Sequence, residues 1–214
     1  MKINFLGDSI TEGAGASSIE NAYVSKVAEI CGVETENFGI SGTRIARQTK
    51  PTVWKTFDYD FQMRAEVMDD ADFVFVFGGT NDYGHGDAPL GNEDDTSPRT
   101  FHGGLNNLMN KLIEKYGKEK IAFILPTRRF IEDDVLGQGN RKEPTTDFKG
   151  YVDIIRAECD KRGISYIDMY NDGFPKPKVD TGDEFTKDGL HPNDKGHLLI
   201  ATIIKDYLIK NKIL

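Results

Sequence analysis

The chain has 214 residues, of which 38% are hydrophobic and 29% charged, a composition typical of a globular domain and not of a disordered chain. Acidic residues outnumber basic ones by 35 to 27, so no general electrostatic attraction to nucleic acid or to an anionic membrane is expected. No apolar run is long enough to span a bilayer, and the first residues carry no signal-peptide pattern. We therefore expect a cytoplasmic protein with no nucleic-acid partner and no stable membrane anchor.

Five segments predict β-strands. They cover residues 2–6, 33–38, 72–77, 120–125 and 165–169. The third segment, with the sequence DFVFVF, is apolar on both faces, which places it at the centre of a parallel sheet. The second segment is more polar and suits a sheet edge.

Between these strands, apolar residues at helical spacing predict helices. They cover residues 19–30, 61–68, 101–116, 147–162 and 194–209. The polar stretches 43–61, 78–98 and 127–146 are predicted as long loops, and no linker or repeat divides the chain. Strands that alternate with helices over the whole length predict a single doubly wound α/β domain, residues 1–214, with five parallel strands.

The cysteines and the acidic residues do not predict a metal site. Cys31 and Cys159 are the only cysteines, and each lies in a helix-like, partly apolar segment, so we expect buried, reduced thiols. No pair of histidines or cysteines has the spacing of metal ligands. An acidic cluster is interpreted as a solvated loop; it consists of Asp82, Asp87, Glu93, Asp94 and Asp95.

Several motifs follow the predicted strands at their carboxyl ends, where ligands bind in open α/β sheets. Gly7-Asp8-Ser9 follows the first strand, and a glycine-rich loop that ends at Gly42 follows the second. Gly79-Thr80-Asn81-Asp82 follows the third strand, and Asp188-Gly189-Leu190-His191 precedes the last helix. Because the strands are parallel, all of these motifs are expected on one rim of the sheet.

Together these motifs contain the groups that acyl transfer to a serine requires. A serine hydroxyl becomes a good nucleophile when a histidine takes its proton and a carboxylate orients the imidazole. Asp188 and His191 are three residues apart, so the carboxylate can reach back to the ring. A glycine such as Gly42 lets a backbone N–H approach an oxyanion, and the Asn81 amide can donate as well.

Each motif alone also has a purely structural interpretation. Gly7-Asp8-Ser9 fits a turn with a helix cap. The sequence around Asn81 fits ordinary turn chemistry, and Asp188-x-x-His191 fits a turn at a helix entry. His102 and His197 are interpreted as surface or loop residues, and His85 as a candidate cleft residue.

Taken jointly and in this order, the motifs resemble the blocks of the SGNH hydrolases, also called GDSL esterases and lipases. The resemblance implies a flavodoxin-like three-layer α/β/α sandwich and no metal or organic cofactor. It implies Ser9 as nucleophile, His191 as general base and acid, and Asp188 as the partner of His191. It further implies an oxyanion hole formed by the N–H groups of Ser9 and Gly42 and the side chain of Asn81, with Asp8 as a scaffold for the turn.

The loops predict the substrate class. Their arginines, aromatic residues and acids suit a polar or sugar-like ligand better than a long acyl chain. The candidate substrate contacts are Arg44, Trp54, Tyr83, His85, Arg128 and Arg129. We therefore expect an esterase for short acyl groups, such as acetyl, on a small-molecule or oligosaccharide substrate. The alternatives are a lysophospholipase or thioesterase and a non-catalytic binding protein on the same fold.

Overall fold

A five-stranded parallel sheet organises the chain, and the computed structural model describes all 214 residues. The strands are β1 (Lys2–Gly7), β2 (Glu34–Gly39), β3 (Phe73–Phe77), β4 (Ile121–Leu125) and β5 (Ser165–Asp168). Their order is β2-β1-β3-β4-β5, and every neighbouring pair is parallel. The predicted central place of β3 and the edge place of β2 are both confirmed.

Helices cover both faces of the sheet, which confirms the predicted α/β/α sandwich. They are α1 (Ser9–Glu12), α2 (Tyr23–Cys31), α3 (Phe61–Val67), α4 (Thr80–His85), α5 (Phe101–Tyr116), α6 (Phe148–Arg162) and α7 (Asp194–Lys210). Helices α3, α5 and α6 share one core with the sheet, and α2 and α7 share the other.

The alternation of side chains along the strands supplies both cores. In β3, Val74 and Val76 face the layer of α3, α5 and α6, whereas Phe75 faces α2 and α7. All three side chains are completely buried. Burial of a side chain of this size contributes about 1.5–3 kcal/mol, so the two faces of β3 together fix its central position.

The long helices begin and end at residues suited to those positions. Thr100, Asp147 and Asn193 cap α5, α6 and α7, and each side chain accepts a hydrogen bond from a backbone N–H of the first turn. Gly163 ends α6 in the left-handed conformation that glycine adopts readily. These local signals keep the helix bounds close to the predicted ones.

Two predictions of local structure are wrong. Residues 80–85 form helix α4 inside the stretch predicted as a long loop, because burial of Asn81, Asp82 and Tyr83 outweighs the low helix propensity of the sequence. The predicted helix 19–30 is interrupted: residues 19–21 form a 3₁₀ turn, and Ala22 is extended before α2 begins. No helix combines the length and apolar character of a membrane span.

Candidate active site

Ser9 lies at the first position of α1, directly beyond the carboxyl end of β1. Asp8 caps this helix: its Oδ1 accepts a hydrogen bond from the N–H of Ile10 at 3.1 Å. A Cβ at Gly7 would overlap the side chain of Thr11, so the tight turn requires glycine there. The turn holds Ser9 with only 6% of its surface exposed, and burial raises the pKa of Asp8 to about 6.

His191 joins Ser9 to Asp188. The Ser9 Oγ lies 3.0 Å from His191 Nε2, and His191 Nδ1 lies 2.7 Å from Asp188 Oδ2. Because the carboxylate can only accept, Nδ1 carries the proton and Nε2 accepts the hydrogen bond of the serine hydroxyl. The second carboxylate oxygen accepts the N–H groups of Leu190 and His191, at 3.1 and 2.8 Å. This arrangement is chemically able to take a proton from Ser9.

Hydrogen bonds stabilise the negative charge of Asp188. Partial burial alone would raise the pKa of its carboxyl, but the hydrogen bonds from His191 and the charge of that ring hold the pKa below its usual value. Asp188 therefore remains an anion at neutral pH and accepts the hydrogen bond of His191 Nδ1–H.

The loop after α1 is joined to the start of α7, which brings His191 to Ser9. Ser17 donates from its N–H and its hydroxyl to the carboxylate of Asp194, at 2.7 and 2.6 Å. His197 accepts the N–H of Tyr23 at 3.2 Å, and its Nε2 lies 3.2 Å from the carbonyl oxygen of Ala14. The interpretation of His197 as a surface residue is wrong, since its side chain is completely buried between these groups.

Gly42 and Asn81 approach α1 through a chain of hydrogen bonds. Glu12, at the end of α1, accepts the N–H and the hydroxyl of Ser41, which places Gly42 beside that helix. The Asn81 Nδ2 donates to the carbonyl oxygen of Thr43 at 3.0 Å. Gly42 has a positive φ of 74°, and neither its N–H nor that of Ser9 donates to a protein acceptor. These N–H groups are therefore free to bind an oxyanion.

Arg64 on α3 joins the loops that carry Ser9 and Gly42. No motif in the sequence contains it. Its guanidinium donates to the carbonyl oxygens of Gly7, Phe38 and Tyr59 and to the Thr43 hydroxyl. The side chain is only 6% exposed, and burial lowers its pKa to about 10, so it remains charged at neutral pH. An arginine within an otherwise apolar helix face was the only signal in the sequence.

Asp82 is also structural, so its interpretation as part of a solvated loop is wrong. Its carboxylate accepts the N–H groups of Ile45 and Ala46 at 2.9 and 2.8 Å, and it is only 4% exposed. Burial raises its pKa to about 6, against the lowering effect of the two N–H donors. Asp82 thereby fixes the chain that follows Gly42.

Most of the residues predicted as substrate contacts are buried or bind other residues of the protein. Tyr83 and Arg129 are 1% and 7% exposed, and Arg129 donates to the carbonyl oxygen of Thr80 at 3.0 Å. Arg128 pairs with Glu132 through two hydrogen bonds of 2.7 Å each. Tyr83 and Arg129 are thus buried, and Arg128 is held by its ion pair with Glu132, so these three side chains do not form an open polar surface.

The remaining candidate contacts differ sharply in exposure. Trp54 is 68% exposed on the loop before α3. Arg44 is 3% exposed, and its guanidinium contacts the ring of His85. Among the six candidate contacts, Trp54 alone is exposed, whereas His85 and Arg128 are half-buried.

A small cavity lies beside Asp188, and it includes neither Ser9 nor His191. It has a volume of about 200 Å³ and is lined in part by Asp188, Leu190 and Phe130. A larger cavity of about 460 Å³ lies between the loops around residues 50, 88 and 142 and does not include Ser9 or His191. The space beside Asp188 is smaller than the roughly 300–1,000 Å³ of typical pockets for drug-sized ligands.

Solved structures with the same fold cover nearly the whole chain. A Lactobacillus plantarum protein matches with a TM-score of 0.79 at 27% identity, over 98% of this chain and 96% of that one. An acetyl xylan esterase matches with a TM-score of 0.67 at 22% identity, over 97% and 100% of the two chains. A two-domain esterase active on acetylated mannans matches with a TM-score of 0.65 at 22% identity, over 99% of this chain and 49% of that one.

The sequence also matches a family model. That model describes the GDSL-like lipase/acylhydrolase family and covers residues 5–199. No curated protein matches the sequence.

Proposed function

Because the chain belongs to the GDSL-like lipase/acylhydrolase family, as its motifs predict, we propose that it hydrolyses carboxylic esters through an acyl-enzyme on Ser9. One observation carries the proposal: two consecutive hydrogen bonds, of 3.0 and 2.7 Å, link the Ser9 hydroxyl through His191 to Asp188. Family membership and this arrangement of Ser9, His191 and Asp188 both support a hydrolase that uses a serine nucleophile.

In the first half of the reaction, Ser9 Oγ attacks the ester carbonyl carbon while its proton passes to His191 Nε2. Asp188 stabilises the resulting imidazolium through Nδ1–H. The carbonyl oxygen becomes an oxyanion that accepts hydrogen bonds from Gly42 N–H, Ser9 N–H and Asn81 Nδ2. The tetrahedral intermediate then releases the alcohol, which takes the proton from His191, and leaves the acyl group on Ser9.

In the second half, water attacks the acyl carbon and gives a proton to His191. The second tetrahedral intermediate collapses, and Ser9 Oγ leaves with the proton from His191. The products are the free carboxylic acid and the original serine hydroxyl, so atoms and charges balance without any other reactant.

We infer that the acyl group is short, such as acetyl, and that the alcohol is polar or a carbohydrate. Similarity in fold to an acetyl xylan esterase and to an esterase active on acetylated mannans supports this inference. The exposed ring of Trp54 offers an aromatic surface for a sugar.

A second candidate function is hydrolysis of longer acyl esters or thioesters, as by a lysophospholipase or thioesterase. Phe130 and Ile131, beside the small cavity at Asp188, are 39% and 46% exposed. This apolar edge would accommodate a chain that extends beyond the cavity. A third candidate, a binding protein without catalysis, conflicts with the intact relay at Ser9.

The test compares p-nitrophenyl acetate with p-nitrophenyl palmitate, followed by acetylated sugars and lysolipids. We expect acetate to be preferred, Ser9→Ala to lower kcat by at least about a thousandfold, and a serine-directed phosphonate to label only the wild type. His102→Ala serves as the matched control, because His102 lies on α5 outside the site. Preference for palmitate would favour the second candidate, and no turnover of either ester would favour the third.

A further inference from the structure

We propose that His85, held by Arg44, is a positioning residue that sets which end of the Asn81 amide faces the reacting carbonyl. The inference rests on the proposed esterase function and assigns a role that the motifs do not contain. It starts from three side chains in contact: Arg44 with His85, and His85 with Asn81.

The Arg44 guanidinium determines the tautomer of His85. Arg44 Nη2 lies 2.5 Å from His85 Nδ1 and also donates to the carbonyl oxygen of His85 at 3.3 Å. A guanidinium has only donors, so Nδ1 must accept and the ring proton must reside on Nε2. Burial, together with the charges of Arg44 and Arg129, lowers the pKa of His85 to about 4, so the neutral ring persists at neutral pH.

The tautomer in turn determines the orientation of Asn81. His85 Nε2 lies 3.0 Å from Asn81 Oδ1, and because Nε2 carries the proton, it donates to that oxygen. The two ends of an asparagine amide have nearly the same shape, so only hydrogen-bond partners distinguish them. With Oδ1 bound to His85 and one Nδ2 hydrogen on the Thr43 carbonyl, the other Nδ2 hydrogen is left for the oxyanion.

The opposite orientation would harm the reaction. A rotated amide would direct Oδ1 toward the Thr43 carbonyl and toward the developing oxyanion, and both contacts are repulsive. The energetic benefit of an oxyanion donor depends on its being oriented before charge develops. Two groups therefore fix the donor end of Asn81: the Thr43 carbonyl oxygen and His85.

The surrounding packing keeps His85 in place. The ring of Phe57 lies 5.8 Å from the His85 ring, between centroids, and it also covers Gly42. The Arg44 guanidinium carbon is 5.9 Å from the centre of the Phe57 ring. His85, the last residue of α4, is thus confined by Arg44 and by the loop before α3. This packing leaves the imidazole little freedom to rotate.

The experiment is a double-mutant cycle on kcat and KM for p-nitrophenyl acetate, with His85→Ala, Asn81→Ala and the double variant. We expect His85→Ala to lower kcat about tenfold with KM nearly unchanged, since small errors in position affect the reacting state most. Asn81→Ala should lower kcat about a hundredfold, and the double variant should be no worse than Asn81→Ala. His85→Gln, which keeps a donor and an acceptor, should restore most of the activity.

His102→Ala again provides the control, and the ring of His85 can be observed without any substitution. In ¹⁵N NMR spectra at pH 7 we expect the Nε2–H tautomer of His85. A protonated ring, an Nδ1–H tautomer, an unchanged kcat in His85→Ala or additive losses in the double variant would each overturn the proposal. If one of these four results is found and Ser9→Ala is still inactive, the role of His85 is refuted but the proposed esterase function stands. Full activity of Ser9→Ala would refute the esterase function itself.

Discussion

Replacing Arg64 with methionine removes the buried cation that joins the loops of the candidate site. Met fills much of the same volume, so the change mainly removes hydrogen bonds. Four acceptors lose the donor that they share, namely three carbonyl oxygens and the Thr43 hydroxyl. A typical hydrogen bond contributes about 1 kcal/mol and one to a charged group about 1.5–3 kcal/mol. Release of a buried charge offsets part of this loss.

We expect Arg64→Met to lower the free energy of unfolding by about 3 kcal/mol, which for a chain of this length corresponds to about 6–12 °C in Tm. Urea denaturation followed by circular dichroism measures the free energy, and calorimetry measures Tm. Lys149→Met is the control, because its ion pair with Asp153 is exposed and exposed pairs contribute about 0–1 kcal/mol. An Arg64→Met variant within 1 kcal/mol of the wild type would refute the reasoning.

Three further predictions concern the relay and the contact between the ends of the chain. Asp188→Asn should lower kcat for p-nitrophenyl acetate by about a thousandfold or more, because the amide no longer fixes the His191 tautomer; a loss below tenfold would contradict this. Gly15→Ala should destabilise the fold by about 2 kcal/mol in urea denaturation, since Gly15 has a φ of 94° and a Cβ would overlap the Pro192 carbonyl oxygen; unchanged stability would argue against the contact. Burial lowers the pKa of His197, so the neutral ring stabilises the fold above the unfolded-state pKa of about 6.5, and this contribution is lost as the pH falls below that value. His197→Asn should therefore be less stable than the wild type at pH 7.5, with a smaller difference at pH 5; a constant difference would contradict the argument.

The layers of the fold were predictable because the apolar pattern of each segment matches the strand or helix that it forms. Residues 73–77 are apolar on both faces, and they form the central strand β3. The residues of the relay were also predictable, because Asp188 and His191 are close in sequence and one turn brings their side chains together. Local patterns therefore carried most of the information on the architecture.

The buried charges and the helix that holds Asn81 were not predictable in this way. Arginines are seldom buried, so the position of Arg64 on an apolar helix face is only a weak signal, and nothing in the sequence distinguishes Arg44 from a surface residue. Helix α4 has a glycine-containing, polar sequence whose helical form depends on contacts with distant loops. The buried arginines and helix α4 depend on contacts with residues far away in the sequence. A single sequence does not show which distant residues will be in contact.

The hydrogen bond between Ser9 and His191 joins residues 182 positions apart. His191 lies just before α7, so the serine hydroxyl has no imidazole beside it until this C-terminal segment is in place. We therefore expect Ser9 to be unreactive in a partly folded chain, which cannot attack esters around it.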